Sequence, residues 1–328
     1  MYSLSQKFLL VGLLLGLGCG SVAAAPQAEF LFEVEKKSVS LQENIFERIS
    51  SILFGLKPAD DQLTTLAGVA VDAADNLYVA DVQKGRIVVL DQKGKATGRA
   101  DIGKGVLKHP QGVAVDSQNR VYVTDSDLNQ LLIFGSDGTL AFALAGDGTE
   151  KGKLFRPSGV LVDEPGDKII VADTGNHRLQ VFDLNGNFLF FVGKSGSKNL
   201  EFRFPTFLAK DSQGKIYVVD TINSRVQILS HDLKKYLGQF GDYGDALGYF
   251  GRPKGIAIDA ADRIYVADAI FNVISVFDKT TKPLMFFGET AKMKKGLYSP
   301  MEVEVNSKSE VIVSDSHNHR LVVYRLTW

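Results

Sequence analysis

From residue 63 onward the apolar positions of this chain come in short runs, too brief for helices and separated by turn residues at a steady interval. One run recurs six times: β-branched and aromatic residues that stop at an aspartate, at Asp81, Asp125, Asp173, Asp220, Asp268 and Asp315, with spacings of 44, 48, 47, 48 and 47. A period this regular marks a repeat architecture. Each unit divides into four strands, clearest at 159–163, 168–173, 178–183 and 187–192. The links between them, such as 211–214 and 183–186, carry Gly or Asn where a tight turn needs positive φ. The second strand of each unit is apolar on both faces, as a strand enclosed between neighbouring sheets must be. The pattern predicts an all-β fold, a six-bladed β-propeller of four-stranded antiparallel blades.

The last unit reaches Trp328 after three strands, and 29–34 reads closely like the fourth strand 187–192. Residues 29–35 are therefore expected to complete the last blade and close the ring, which removes an exposed strand edge. Between that strand and the first repeat, Ser40 and Glu43 have capping-box spacing, and Ile45, Phe46, Ile49, Ile52, Leu53 and Leu56 follow a helical period. An amphipathic helix is expected there. Ahead of both, Lys7, an apolar run over 8–18 and small residues over 20–25 form a secretory signal, too short to span a bilayer. Two processing routes fit it: cleavage before Ala25, or lipidation at Cys19, where 15–19 forms a loose lipobox. The expected division is 1–25 as export signal, 26–62 as closing strand and helix, and 63–328 as propeller. The mature chain is expected outside the cytosol, as a periplasmic protein, an outer-membrane lipoprotein or a secreted protein.

Composition narrows the function classes. Thirty-seven Lys and Arg against 38 Asp and Glu give a formal net charge of −1, with no overall basic surface for nucleic acid. A single Cys excludes a disulfide framework and a cysteine-based zinc site. A single Trp argues against propellers built on a recurring Trp–Asp pair.

The run Asn176, His177, Arg178, Leu179 recurs at 318–321 and, weakened, at 223–226. On these residues the chain resembles the NHL-repeat family of six-bladed propellers over about residues 63–328. The resemblance is specific for the fold and leaves function open, because that family holds lyases, hydrolases, RNA binders and plain scaffolds. Its peptidyl-hydroxyglycine amidating lyases hold zinc through His directly after a corner Pro. Here those positions carry Gln111, Ser158, Thr206, Lys254 and Met301, so neither a metal nor a cofactor is expected. The Arg of the third strand (Arg86, Arg178, Arg225, Arg320) follows the terminal Asp by five residues, which reads as a repeated structural ion pair. His317 and His319 read as turn residues and not as a metal site.

Binding candidates are the places where units depart from one another. At the Pro-x-Gly corner, Phe207 and Glu302 replace the Gly, and Thr206 and Lys254 hold the x position. Lys210 stands where other innermost strands carry Val, and Glu304 where they carry Ala. Arg156 and Arg252, each before a corner Pro, join His109 and Lys254 as a cationic cluster suited to an anionic group. Together His109, Arg156, Thr206, Phe207, Lys210, Arg252, Lys254, Glu302 and Glu304 are the residues expected at the channel mouth. The expected task is non-catalytic binding of another exported or envelope protein through one propeller face. Resemblance to exported bacterial propellers implies electron-transfer proteins as company. The alternatives are a small-molecule hydrolase or lyase at the mouth using Glu302 and Glu304, and RNA binding, which the export signal opposes. No nucleic-acid partner is expected, and membrane contact only through a lipid on Cys19.

Overall fold

A computed structural model describes residues 26–34, 63–99, 101–288 and 296–327. The export signal expected over 1–25, with Cys19, and the helix expected over 40–56 lie outside the described residues. Five sheets have four strands each, and a sixth has three. Blade 1 holds β2 (Leu66–Val71), β3 (Leu77–Asp81) and β4 (Arg86–Leu90); blade 2 holds β5 (Pro110–Val115), β6 (Val121–Asp125), β7 (Gln130–Phe134) and β8 (Leu140–Ala145). Blade 3 comprises β9 (Val160–Asp163), β10 (Lys168–Asp173), β11 (Arg178–Phe182) and β12 (Phe188–Val192). Blade 4 comprises β13 (Pro205–Lys210), β14 (Ile216–Asp220), β15 (Arg225–Leu229) and β16 (Tyr236–Phe240). Blade 5 comprises β17 (Pro253–Ile258), β18 (Ile264–Asp268), β19 (Val273–Phe277) and β20 (Pro283–Phe287). Blade 6 comprises β21 (Pro300–Val305), β22 (Glu310–Asp315) and β23 (Arg320–Thr327), with β1 (Gln27–Val34) as its outermost strand.

β1 pairs antiparallel with β23, from Gln27 opposite Thr327 to Val34 opposite Leu321. The expected closure is thus the observed one, with the strand two residues longer at its start than the pattern suggested. In blade 1 the outermost position is taken by a segment joined through isolated bridges, Ala96 to Leu90 and Ile102 to Ile87. Residues 95–101 lack the alternating apolar run that makes the other fourth strands.

The core is radial. The second strands β3, β6, β14 and β18 are buried at every position. Six apolar clusters fill the six gaps between successive blades, including the one between blades 6 and 1 that unites Leu66, Val79 and Leu321. The innermost strands neighbour one another in the order β2, β5, β9, β13, β17, β21 and back to β2. Their close approach explains the corner glycine. A Cβ on Gly112 would lie 2.3 Å from the Ser158 carbonyl oxygen, and one on Gly159 2.6 Å from that of Thr206. In blades 4 and 6 the same position holds Phe207 and Glu302, both buried.

Candidate functional site: the cationic mouth of the channel

The turn after each second strand folds back on the loop before the first strand of the same blade. The amides of Val82, Ser126, Gly175, Ile222, Ala269 and His317 bond to the carbonyls of Thr65, His109, Phe155, Arg203, Arg252 and Tyr298. All six corner loops therefore gather on one face, around the mouth of the channel.

The terminal Asp of each second strand fixes these loops in two ways. In blades 3, 4 and 6 one oxygen accepts a corner N–H (Phe155 to Asp173, Arg203 to Asp220, Tyr298 to Asp315, each 2.7 Å). The other oxygen takes the third-strand guanidinium, with Arg178, Arg225 and Arg320 at 2.8, 2.8 and 2.7 Å. Asp81 and Arg86 form the same pair in blade 1, so the expected Asp–Arg device is present. Blades 2 and 5 carry Gln130 and Val273 in place of the Arg. There the freed oxygen accepts successive corner amides, Lys108 and His109 at Asp125, and Gly251 and Arg252 at Asp268. The corner changes shape accordingly. Arg156, Phe204 and Ser299 before the proline of blades 3, 4 and 6 have φ of 48, 54 and 53°, whereas His109 and Arg252 avoid that region.

Each left-handed corner is clasped by the preceding blade. Asn129, His177 and Asn272 accept the N–H of Arg156, Phe204 and Ser299 at 2.6, 3.1 and 2.8 Å. His177 also packs edge-on against Phe204, with ring centroids 4.4 Å apart. His319 directs Nδ1 at the Thr64 carbonyl oxygen, 2.9 Å away, and so clasps blade 6 to blade 1. The motif histidines are inter-blade clasps, in keeping with their reading as turn residues.

A second set of contacts stiffens the mouth across blades 3, 4 and 5. Ser158 and Thr174 sit with hydroxyls 2.5 Å apart, and Thr174 donates to the Pro205 carbonyl at 2.7 Å. One blade on, Thr206 and Thr221 are 2.9 Å apart and donate to the carbonyls of Lys254 and Pro253 at 2.8 and 2.9 Å. With their protons committed to carbonyls, these hydroxyls build the wall and leave recognition to other groups.

Inside this wall lies a cavity of about 330 Å³. Six of the nine candidates line it: His109, Arg156, Thr206, Phe207, Arg252 and Lys254. No Asp or Glu does. His109 Nδ1 lies 2.7 Å from the Ser126 hydroxyl and 4.0 Å from Asp127, whereas among the described residues Arg156, Arg252 and Lys254 have no acidic partner. Lys254 is mostly withdrawn from water and close to Arg252; burial first, and that guanidinium second, push its ammonium down to about 8.

Three candidates stand elsewhere. Lys210 ends β13 at the far side of the ring and pairs with Asp163 of blade 3. Glu302 is buried against Gly255 of blade 5, where its Oε1 receives two long bonds, from the Ile256 amide at 3.3 Å and the Val303 amide at 3.4 Å. Glu304 lies two residues further along β21, with Oε1 3.3 Å from the Val305 amide. Burial, with the Glu304 charge as a second cause, raises Glu302 well above the ordinary carboxylate range, and burial brings Glu304 to about 7.

Around the mouth the structure adds residues that the unit comparison passed over. Phe155, Phe204 and Tyr298 precede the corner prolines of blades 3, 4 and 6, Ile222 and Ile270 follow the second strands of blades 4 and 5, and all five are exposed. Their signal in the sequence is an apolar residue at a position where the repeat calls for a turn.

The NHL repeat family model matches residues 107–134 and 156–182, which hold the first three strands of blades 2 and 3. Protein brain tumor of Drosophila melanogaster is 34% identical over 88 residues, 26% of this chain and 8% of that protein. B-box type zinc finger protein ncl-1 of Caenorhabditis elegans is 42% identical over 136 residues, 40% of this chain and 15% of that one. The chain thus spans less than a sixth of the length of either relative. Among solved structures, a gluconolactonase from Xanthomonas campestris superposes with a TM-score of 0.63 at 17% identity, covering 81% of this chain and 88% of its own. A streptogramin B lyase gives 0.58 at 12%, with 80% and 94% covered, and a chain of a nidogen–laminin complex 0.54 at 18%, with 68% and 79%. At these identities the likeness is one of fold. The chain is a six-bladed β-propeller that carries NHL repeats and is closed by a strand from its own N-terminal side.

Proposed function

We propose that this propeller is a non-catalytic binding scaffold that docks another protein on its mouth face. The observation that carries the reading is the exposed apolar rim of Phe155, Phe204, Ile222, Ile270 and Tyr298 around a polar pocket. An apolar set framing a few polar groups is the composition of a protein-binding patch, and aromatic anchors supply most of the energy in such patches. The corner loops are suited to it, because the Asp caps and inter-blade clasps hold them rigid and little ordering entropy is lost on docking. The chain of like fold from a nidogen–laminin complex comes from a protein assembly, which agrees with this reading. The leader-like residues 1–25 support a site of action outside the cytosol, with an exported or envelope protein as partner and Cys19 as the point of a lipid anchor.

The test compares two apolar positions of equal exposure. Phe204 on the rim and Leu189 on the outer strand of blade 3 are both 46% exposed. Photo-crosslinking groups placed at each, in cells exporting the full chain, should capture a discrete protein from position 204 and not from 189. The same partner should be lost from a Phe155→Asp/Ile270→Asp variant. Capture from 189 alone, or capture indifferent to the rim substitutions, would move the docking surface off the mouth.

A further inference from the structure

We infer that the mouth pocket is a carboxylate site, filled by an acidic side chain of the docked protein. Only the source of the carboxylate rests on the docking reading; the chemistry of the pocket stands on its own observations. Three cationic side chains from two blades, Arg156 of blade 3 with Arg252 and Lys254 of blade 5, line one cavity that no acidic side chain enters. A charge-neutralising partner is the usual companion of a withdrawn cation, and burying a charge without one is costly. Here Lys254 stands partly buried beside a second cation, so the site is built with an electrostatic deficit that an incoming anion removes.

The size and setting of the deficit select the anion. A polyphosphate chain or nucleic-acid backbone calls for a broad basic surface, but the chain as a whole carries a net charge of −1. The cations are concentrated in a cavity of about 330 Å³, and the rim immediately outside is apolar. One compact anionic group flanked by apolar neighbours satisfies both zones. The hydroxyls of Thr174, Thr206 and Thr221 are directed to backbone carbonyls, which leaves the two arginines and Lys254 as the charged donors of the pocket. A guanidinium fork matches the two oxygens of a carboxylate, the anionic group that a docked protein carries in its own side chains. His109, its Nδ1 2.7 Å from the Ser126 hydroxyl, completes the wall.

Titration of the full-length chain with a blocked Gly-Asp-Phe-Gly peptide, its Asn counterpart, succinate and inorganic phosphate tests this directly. The Asp peptide should bind at least roughly tenfold more tightly than the Asn peptide, the ratio set by one charge-assisted hydrogen-bonded contact. Arg156→Gln/Arg252→Gln should abolish that ratio without lowering the melting temperature, since both side chains are exposed and Arg252 only adds to the cost of the charged Lys254. Preference for the Asp peptide over succinate assigns the carboxylate to a protein. Preference for succinate keeps the carboxylate site and overturns the protein as its source. Equal binding of the Asp and Asn peptides, tighter binding of phosphate than of either carboxylate probe, or indifference to the double substitution would overturn the site itself. Loss of partner capture in the rim variants leaves these titrations unaffected, so the two readings fail separately.

Discussion

Lys210 reaches from the end of β13 across the boundary of blades 3 and 4 and places Nζ 2.6 Å from Oδ1 of Asp163, whose Oδ2 lies 2.6 Å from Nε2 of His231. Four other blades use the corresponding Asp differently: Asp72, Asp116, Asp211 and Asp259 each accept the hydroxyl of a second-strand Tyr. Blade 3 has Ile170 at the Tyr position and one extra residue in the following turn, so Asp163 faces the next blade. Burial opposes the charged form of Asp163, but the bonds from Lys210 and His231 outweigh it and hold its pKa below the ordinary value. A depressed carboxylate stabilises the fold above its unfolded pKa and loses that contribution as pH falls through the folded one. Asp163→Asn should therefore lower stability at pH 7 by about 1–3 kcal/mol. The difference from the parent chain should start to narrow as pH falls below about 4 and go on narrowing at lower pH in acid melts. A gap that stays constant as pH falls below about 4 would show that the ion pair is not its source.

Glu302 and Glu304 lead to the opposite sign. Both carboxyls are raised, so the folded state prefers the proton that the unfolded state releases at lower pH. Their penalty is absent below about pH 4 and grows as pH rises from there through 7 and above. Glu302→Gln and Glu304→Gln should each raise the melting temperature at pH 8, and the double substitution should flatten the fall in stability between pH 5 and 8. Melting curves against pH decide the matter: a lower melting temperature for both variants at pH 8 would mean that the charges are paired.

The contrast between these carboxylates and the rest of the molecule shows what the sequence makes readable. Blade number, ring closure by β1 and the Asp–Arg pairs all repeat, and a repeated physical requirement leaves a repeated residue. Six mouth residues were legible for the same reason, since the corner Pro marks where each blade enters the channel. Lys210 was not, because the strand has two ends, and a departure from the repeat shows that a residue is special without showing which end it serves. Its partner Asp163 sits in another unit, 47 residues earlier. The hydroxyl ladder escaped in the same way: Ser158 with Thr174 and Thr206 with Thr221 are pairs within a unit whose bonds end on the backbone of the next.

That ladder is open to test at Thr206. Thr206→Val keeps the shape but leaves the Lys254 carbonyl without its donor. The expected loss is about 1–2 kcal/mol, seen as a melting temperature lower by roughly 2–6 °C. Thr206→Ser restores the hydroxyl and should recover most of it. Equal losses for Val and Ser would assign the effect to packing of the methyl group.

Ring closure makes a larger claim. β1 covers the edge of β23, Glu33 bonds Arg320 at 2.6 Å, and the Phe30 ring meets Tyr324 with centroids 6.1 Å apart. Removing 26–34 strips all three and leaves an unpaired edge next to an opened apolar cluster. The shortened chain should melt roughly 10 °C lower or more and associate with itself in sedimentation. Glu33→Gln should cost far less, because Asp315 still holds the Arg320 guanidinium. An unchanged melting temperature after deletion would mean that the ring does not depend on this strand.

Lys254 joins stability to binding. Its folded pKa, about 8, is below the usual 10.5, so the unfolded chain holds the proton more tightly. The charged lysine therefore weakens the fold below pH 8, and that penalty is relieved as pH rises from 8 towards 10.5. Arg252 is the charged neighbour beside it, Arg156 and His109 line the same cavity, and no carboxylate stands on the wall. Lys254→Met fills the same space without charge and should raise the melting temperature at pH 7. It should also weaken the Asp peptide several-fold relative to its Asn counterpart. For the parent chain the Asp peptide should lose affinity as pH rises through about 8, a loss that Lys254→Arg removes because a guanidinium stays charged there. If Lys254→Met melts lower and binds the Asp peptide as the parent chain does, the lysine is a structural residue and the carboxylate contact belongs to the two arginines alone.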